Sequence, residues 1–194
     1  RDYFRQRAGN LAPLHALIVR QLMSSTVDLN VVTLADADVP LDICHHAAGA
    51  GLWTEFHHIY DKRLMRGDVD YLCDSLGAWS ETLAVTTKVF PDGDPTRRPV
   101  FEPEYYASHY ARCLKHLGFA TDAIAAYERA LALCAASEHP ETALYTNNFL
   151  TLQVYAGNLA AALRLGPWNL ALLKWIKLDW KGRWQVEHGG YSIA

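Results

Sequence analysis

Residues 105–133, YYASHYARCLKHLGFATDAIAAYERALAL, have the pattern of two helices joined at a glycine. In the first half, large apolar residues recur at spacings of four, four and three, which places them on one face of a helix. These residues are Tyr106, Tyr110, Leu114 and Leu117. Gly118 follows, and glycine readily ends a helix in the left-handed conformation. In the second half, small Ala123 and Ala130 allow close approach, and Tyr127 fills the space beside them. The stretch therefore predicts a helical hairpin.

The turn and second helix of this hairpin resemble a tetratricopeptide repeat, or TPR. In that family a turn glycine is followed at fixed spacings by an alanine, an aromatic residue and a second alanine. Here these positions are Gly118, Ala123, Tyr127 and Ala130. The Trp-Leu-Gly pattern of the family's first helix is missing, and Ala107, Tyr110 and Ala111 stand in its place. The resemblance implies an all-α protein, a TPR-like α-solenoid of antiparallel helical hairpins.

Similar glycine turns recur along the chain, at Gly51, Gly77 and Gly157. The intervals between successive turn glycines, with Gly118 included, are 26, 41 and 39 residues. Because a regular TPR array repeats every 34 residues or so, these helices are expected to differ in length. The sequence therefore predicts an irregular array.

The predicted solenoid is continuous and has four parts. Residues 1–90 form irregular helical hairpins, and residues 91–103, with four prolines, form a surface loop. Residues 104–165 form the TPR-like hairpins, and residues 166–194 form a capping helix and tail.

Two helix boundaries are predicted from proline and its neighbours. Asp38 is expected to cap a helix that runs to about Ala48, with Pro40 in its first turn, where the missing N–H costs little. A later helix from Asn158 is expected to be interrupted at Gly166 and Pro167, since proline cannot continue the hydrogen-bond ladder. A further helix is predicted over residues 53–65.

A second resemblance covers residues 47–94. The order of an Ala/Gly-rich helix end, a YxxRIxRG-like segment, an LGAxxxxLA stretch and a Phe/Pro loop is similar to that of the helical repeats of bacterial STAND-type signalling ATPases. Here these segments are residues 47–51, 60–67, 76–84 and 89–94. The resemblance implies a ligand or partner sensor beside an ATPase module. The chain begins with Arg1 and not Met, which favours a piece of a longer protein.

The charge and hydropathy of the chain argue against two classes of protein, nucleic-acid binders and membrane-spanning proteins. The formal net charge is −3 and the pI is about 6.3, so a nucleic-acid binder is not expected. There is no 18-residue apolar run and no secretory leader, so a membrane span is not expected. Cys44, Cys73, Cys113 and Cys134 are isolated in apolar surroundings, which predicts buried free thiols in a reducing cytoplasm.

Catalytic patterns are scarce. Neither GxxxxGK followed by Ser or Thr nor GxGxxG occurs, so no phosphate-binding loop is predicted. Cys113 lies one helical turn before His116, but nothing in the sequence supplies an orienting carboxylate or an oxyanion hole. We therefore expect a protein that is not an enzyme and needs no cofactor.

The TPR resemblance also implies a partner-binding groove, because the first helix of each TPR hairpin lines the concave face. The implied positions are Tyr105, Ser108, Arg112 and Lys115 in one hairpin, and Leu144, Asn147, Thr151 and Val154 in the next. Arg112 and Lys115 suit acidic groups, and Asn147 suits a peptide backbone. The expected partner is a protein or peptide, and a homo-oligomer is a further option. An ordinary solvated helix face remains the alternative for each position.

Two other functions stay open. Cys44, His46 and His57 carry metal-ligand chemistry, although adjacent histidines on a helix point about 100° apart and do not easily share one ion. Residues 164–191 interleave tryptophans with basic residues, which suits an anionic membrane or single-stranded nucleic acid. A capping helix whose tryptophans cover the last hairpin explains the same pattern.

Overall fold

The computed structural model describes residues 10–25, 31–66, 71–90, 94, 97–137 and 142–175. Within these ranges the regular elements are helical and no β-strand occurs. The predicted all-α class is therefore confirmed. The chain divides into two compact units, Arg1–Glu102 and Pro103–Ala194. The division falls at the end of the proline-rich segment.

Helix α2 (Leu34–Ala50) is the centre of the first unit. The other described elements of this unit are α1 (Ala12–Ser25), α3 (Trp53–His58), the π-helical segments π1 (Ile59–Leu64) and π2 (Tyr71–Ser75), and α4 (Trp79–Thr86). Helices α1, α3 and α4 and segment π1 all pack against α2, while π2 packs on α4. This helix therefore joins most of the described elements of its unit.

The start of α2 differs from the prediction. Thr33, not Asp38, is the N-cap: its hydroxyl accepts from the Asp36 backbone N–H at 3.3 Å, and the Asp36 carboxylate accepts from the Thr33 N–H at 2.8 Å. This reciprocal pair is a capping box, which satisfies two backbone donors at once. Pro40 lies inside the helix and not in its first turn. The Asp38 cap was therefore wrong.

Helix α3 runs directly into π1, so the helix predicted over residues 53–65 is present but changes its winding. The Met65 N–H donates to the Tyr60 carbonyl, five residues back, at 2.9 Å. Phe56, Tyr60 and Leu64 are fully buried at spacings of four, and the first two rings stack 5.9 Å apart. A single apolar row therefore continues through both types of turn.

The second unit is a row of helices that pack in chain order. They are α5 (Pro103–His116), α6 (Ala120–Ser137), α7 (Thr142–Tyr155) and α8 (Leu159–Trp175). Each packs on the next, and α5 also meets α7. Ala123, Tyr127 and Ala130 are fully buried, which confirms the predicted contact stripe of the first hairpin.

Helix α8 continues through Gly166 and Pro167, so the predicted interruption was wrong. Proline at this position removes one bond, the one that the Leu163 carbonyl would accept. Helix α8 packs on α7, and this packing offsets the lost hydrogen bond.

The four predicted glycine turns are present, with φ between 69° and 86° at Gly51, Gly77, Gly118 and Gly157. At Gly118 the next N–H, of Phe119, donates to the carbonyl five residues before it, Leu114, at 2.9 Å. The turns at Gly51 and Gly157 have the same bond, at 2.9 and 2.8 Å. This is the Schellman cap, which needs a left-handed residue.

Each turn also starts the next helix in the same way. A new helix begins two residues after the glycine, and the residue five positions after the glycine is buried. These buried residues are Phe56, Thr82, Ala123 and Ala162. The turn at Gly77 differs in one respect: the Ala78 N–H reaches six residues back, to Leu72, because the preceding helix is π-wound.

Candidate functional site

Helices α5 and α7 carry the predicted groove positions and are in contact with each other. Tyr105, Ser108, Arg112 and Lys115 follow one another along one face of α5, and Leu144, Asn147, Thr151 and Val154 do so along α7. Contact between α5 and α7 therefore brings the two rows onto adjacent helices.

Three of these positions are buried. Tyr105 is 8% exposed, Ser108 2% and Asn147 9%. The Tyr105 ring lies 4.2 Å from the His109 ring and 5.3 Å from the Tyr106 ring, centre to centre. In this structure these residues pack within the protein, and solvent reaches little of them.

The other five positions are half-buried, and three of them have polar side chains. Arg112 and Lys115 are partly exposed on α5, and Thr151 is partly exposed on α7. The Thr151 hydroxyl donates to the Asn147 carbonyl at 2.9 Å, which leaves its oxygen able to accept. Two cationic side chains and one hydroxyl are therefore the accessible polar part of the predicted groove.

The C-terminal end of α5 is electropositive, and we call Arg112, Lys115 and His116 the basic end. Desolvation, together with the charges of Lys115 and Arg112, lowers the pKa of His116 to about 4. The imidazole is therefore neutral at pH 7, and the positive charge comes from the other two side chains. Cations at this position also interact favourably with the helix dipole.

A buried phenol lies in the adjacent helix. Tyr127 is fully buried, its ring is 5.9 Å from the Phe149 ring, and its hydroxyl has no hydrogen-bond partner among the residues described. Burial raises the pKa of this phenol, while the charge of Arg112 lowers it. The Arg112 charge therefore acts on both this phenol and His116.

The sequence left open a metal site formed by Cys44, His46 and His57. Cys44 is fully buried, its thiol lies 3.9 Å from the Phe56 carbonyl, and burial raises its pKa. The His57 ring packs against Phe101 at 5.2 Å. Among the described residues, no group of three or more His, Cys, Asp or Glu side chains is arranged to hold a metal ion.

His46 instead meets a histidine that the sequence reasoning did not select. The Nδ1 atoms of His15 and His46, 31 residues apart, are 2.7 Å from each other. His45 lies beside them, with its ring centre 6.2 Å from that of His15 and 5.2 Å from that of His46. No periodic pattern links His15 with the other two, because the contact depends on how α1 packs on α2.

The remaining expectations are met in part. The four cysteines are buried free thiols, as predicted. No described helix has the length and hydropathy that crossing a membrane requires. The tryptophan-rich C-terminal segment is helical as far as Trp175, and residues 176–194 lie outside the described part of the chain.

Comparisons of the chain with protein-family models, with curated proteins and with solved structures find no match.

Proposed function

We propose that the chain is a non-catalytic helical repeat, a TPR-like α-solenoid that binds a protein or peptide. The repeated glycine turn is the observation that carries this proposal. Four turns share a left-handed glycine, a helix start two residues later and a buried residue at the fifth position. Such repetition of one turn is typical of proteins built from stacked hairpins, which act through extended surfaces.

The ligand would be an acidic segment that contacts the basic end of α5. The positive charge of the basic end comes from Arg112 and Lys115 alone, since His116 is neutral at pH 7. Thr151, on the neighbouring helix, adds a hydroxyl acceptor for a peptide N–H. Tyr105, Ser108 and Asn147 would hold these helices in place from within. Charge-assisted hydrogen bonds to carboxylates are stronger than neutral ones, so they favour an acidic ligand.

The wider setting would be a bacterial cytoplasmic signalling protein of the STAND type, with this chain as its sensor. This part of the proposal rests on the order of the segments at residues 47–51, 60–67, 76–84 and 89–94. In this role, ligand contact by the repeats would be relayed to an ATPase module. Conversion of ligand is not required of the sensor.

The acidic-ligand proposal can be tested with a fluorescein-labelled decapeptide of alternating glutamate and alanine. Binding is measured by fluorescence anisotropy at low salt. We expect the double variant Arg112→Gln, Lys115→Gln to bind at least about tenfold more weakly, since two charge-assisted contacts are lost. A peptide with lysine in place of glutamate should not bind.

Arg129→Gln is the matched control, because it removes one exposed positive charge from α6. Its affinity should stay within about twofold of the parent chain, as expected for a charge outside the contact surface. If Arg129→Gln, which removes one charge, loses half as much binding free energy as the double variant, which removes two, then only net charge matters. That result, or no binding by the parent chain, would contradict the proposal.

A further inference from the structure

His15 and His46 form a contact between two helices in the first unit. His15 lies on α1 and His46 on α2, and their Nδ1 atoms are 2.7 Å apart. The ring centres are 4.9 Å apart and the ring planes are tilted by 43°. At this distance one nitrogen donates a hydrogen and the other accepts it with its lone pair. Two nitrogens that can ligate a metal ion therefore lie next to each other.

Gly49 fixes the position of the His15 ring. A Cβ atom on this residue would lie 3.0 Å from each of three atoms of that ring, Cγ, Cδ2 and Cε1. Equal distances to three ring atoms mean that the imidazole lies flat over the glycine. The His15 side chain is thus held by packing against Gly49, one helical turn after His46. Little conformational freedom of this side chain remains to be lost on binding.

Solvent reaches the pair. His15 and His46 are half-buried and His45 beside them is exposed. A dissolved ion can therefore reach both rings.

We propose that His15 and His46 bind one divalent transition-metal ion through their Nδ1 atoms, with Cu(II) the preferred ion and water in the other positions. With metal–nitrogen bonds of about 2.0 Å, adjacent nitrogens of a tetragonal complex are about 2.8 Å apart. In a tetrahedral complex they are about 3.3 Å apart. The observed 2.7 Å fits the tetragonal geometry, which Cu(II) favours over Zn(II).

Binding requires a change of tautomer and a turn of the rings. The ring that donates from Nδ1 in the free protein releases that proton and takes one at Nε2 from water. Both imidazoles stay neutral, and both Nδ1 lone pairs turn from each other toward the ion, which lies to one side of the line between the two nitrogens. The site needs no third side chain, so it is compatible with the lack of a larger ligand group among the residues described. It is also independent of the basic end of α5.

The test is a Cu(II) titration of the full chain against glycine, a competing chelator, followed by electron paramagnetic resonance. We expect one ion per chain and an axial spectrum with two nitrogen ligands. His15→Asn and His46→Asn should each weaken binding by roughly tenfold or more, because one ligand of a preset pair is lost.

His45→Asn is the matched control, since it removes an adjacent exposed imidazole and leaves the pair intact. Its affinity should stay within about threefold of the parent chain. Gly49→Ala is a second test that keeps all three histidines. Its methyl group should displace the His15 ring and weaken Cu(II) binding while the helix content is retained. Equal Cu(II) affinity in the parent chain, His15→Asn and Gly49→Ala would overturn the proposal.

Discussion

Tyr127 buries a hydroxyl group that has no hydrogen-bond partner among the described residues. An unsatisfied buried polar group costs about 1–3 kcal/mol. We therefore expect Tyr127→Phe to leave the free energy of unfolding unchanged or to raise it by up to about 1 kcal/mol. Urea denaturation followed by circular dichroism measures the change.

Tyr127→Leu is the control for the ring itself. It removes the hydroxyl and also the contact with Phe149, so we expect a loss of about 2–4 kcal/mol. A loss of more than about 1 kcal/mol in Tyr127→Phe would mean that the hydroxyl stabilises the fold, contrary to our interpretation.

His116 gives the second unit a defined acid sensitivity. Its pKa is about 4 in the folded chain, below its usual 6.5, chiefly because of desolvation and then because of Lys115 and Arg112. As the pH falls, the imidazole therefore binds a proton near pH 6.5 in the unfolded chain but only near pH 4 in the folded chain. Stability should fall as the pH drops through this window and should be unaffected by this group above it.

The comparison variant is His116→Gln, which cannot take up this proton. We expect its thermal midpoint to fall less between pH 7 and pH 4.5 than that of the parent chain. Identical pH profiles for the two proteins would show that the imidazole is equally basic in the folded and unfolded states.

For single residues, the sequence predicts the helix on which a side chain lies but not what that side chain contacts. The spacing of Tyr105, Ser108 and Asn147 placed them on the correct helices, yet burial depends on neighbours that a helical pattern does not specify. The contact between His15 and His46 is of the same kind, since it arises from the packing of α1 on α2. Local spacing predicts the face of a helix, and only tertiary packing decides what that face meets.

At the scale of the helix, the start of α2 supplies a direct test. Thr33→Ala removes the capping box, so we expect a loss of about 0.5–2 kcal/mol in the free energy of unfolding. Asp38→Ala is the matched control, because this exposed residue was the predicted cap and now lies inside the helix. It should change stability by less than about 0.5 kcal/mol. A larger effect at Asp38 than at Thr33 would contradict the assigned start.

The helix ends were predicted better than the proline positions, for a physical reason. Gly51, Gly77, Gly118 and Gly157 end helices through a conformation that glycine adopts at little cost, so the signal is local. Pro40 and Pro167 suggested a first turn and a break, but both lie within helices. The cost of an internal proline, about 3 kcal/mol, is offset when the surrounding helix packs well, which sequence alone does not reveal.

For the molecule as a whole, the division into two units predicts how substitutions combine. Gly118→Ala forces a side chain into the left-handed region and should cost about 1–2 kcal/mol. Thr33 belongs to the first unit and Gly118 to the second. The double variant Thr33→Ala, Gly118→Ala should therefore lose the sum of the single losses, within about 0.5 kcal/mol. Departure by more than about 1 kcal/mol in urea denaturation would indicate energetic coupling between these sites.

The π-wound segments of the first unit have a consequence for chain length. A π turn holds one residue more than an α turn between the same ends. Elsewhere in a helix, deleting a residue rotates everything that follows by about 100° and moves its apolar row off the core. Within Ile59–Leu64, we expect the loss of one residue to convert wide turns into ordinary ones, so that the end of the segment keeps its orientation relative to α3. We therefore expect the fold to tolerate a one-residue deletion better here than in an α-helix.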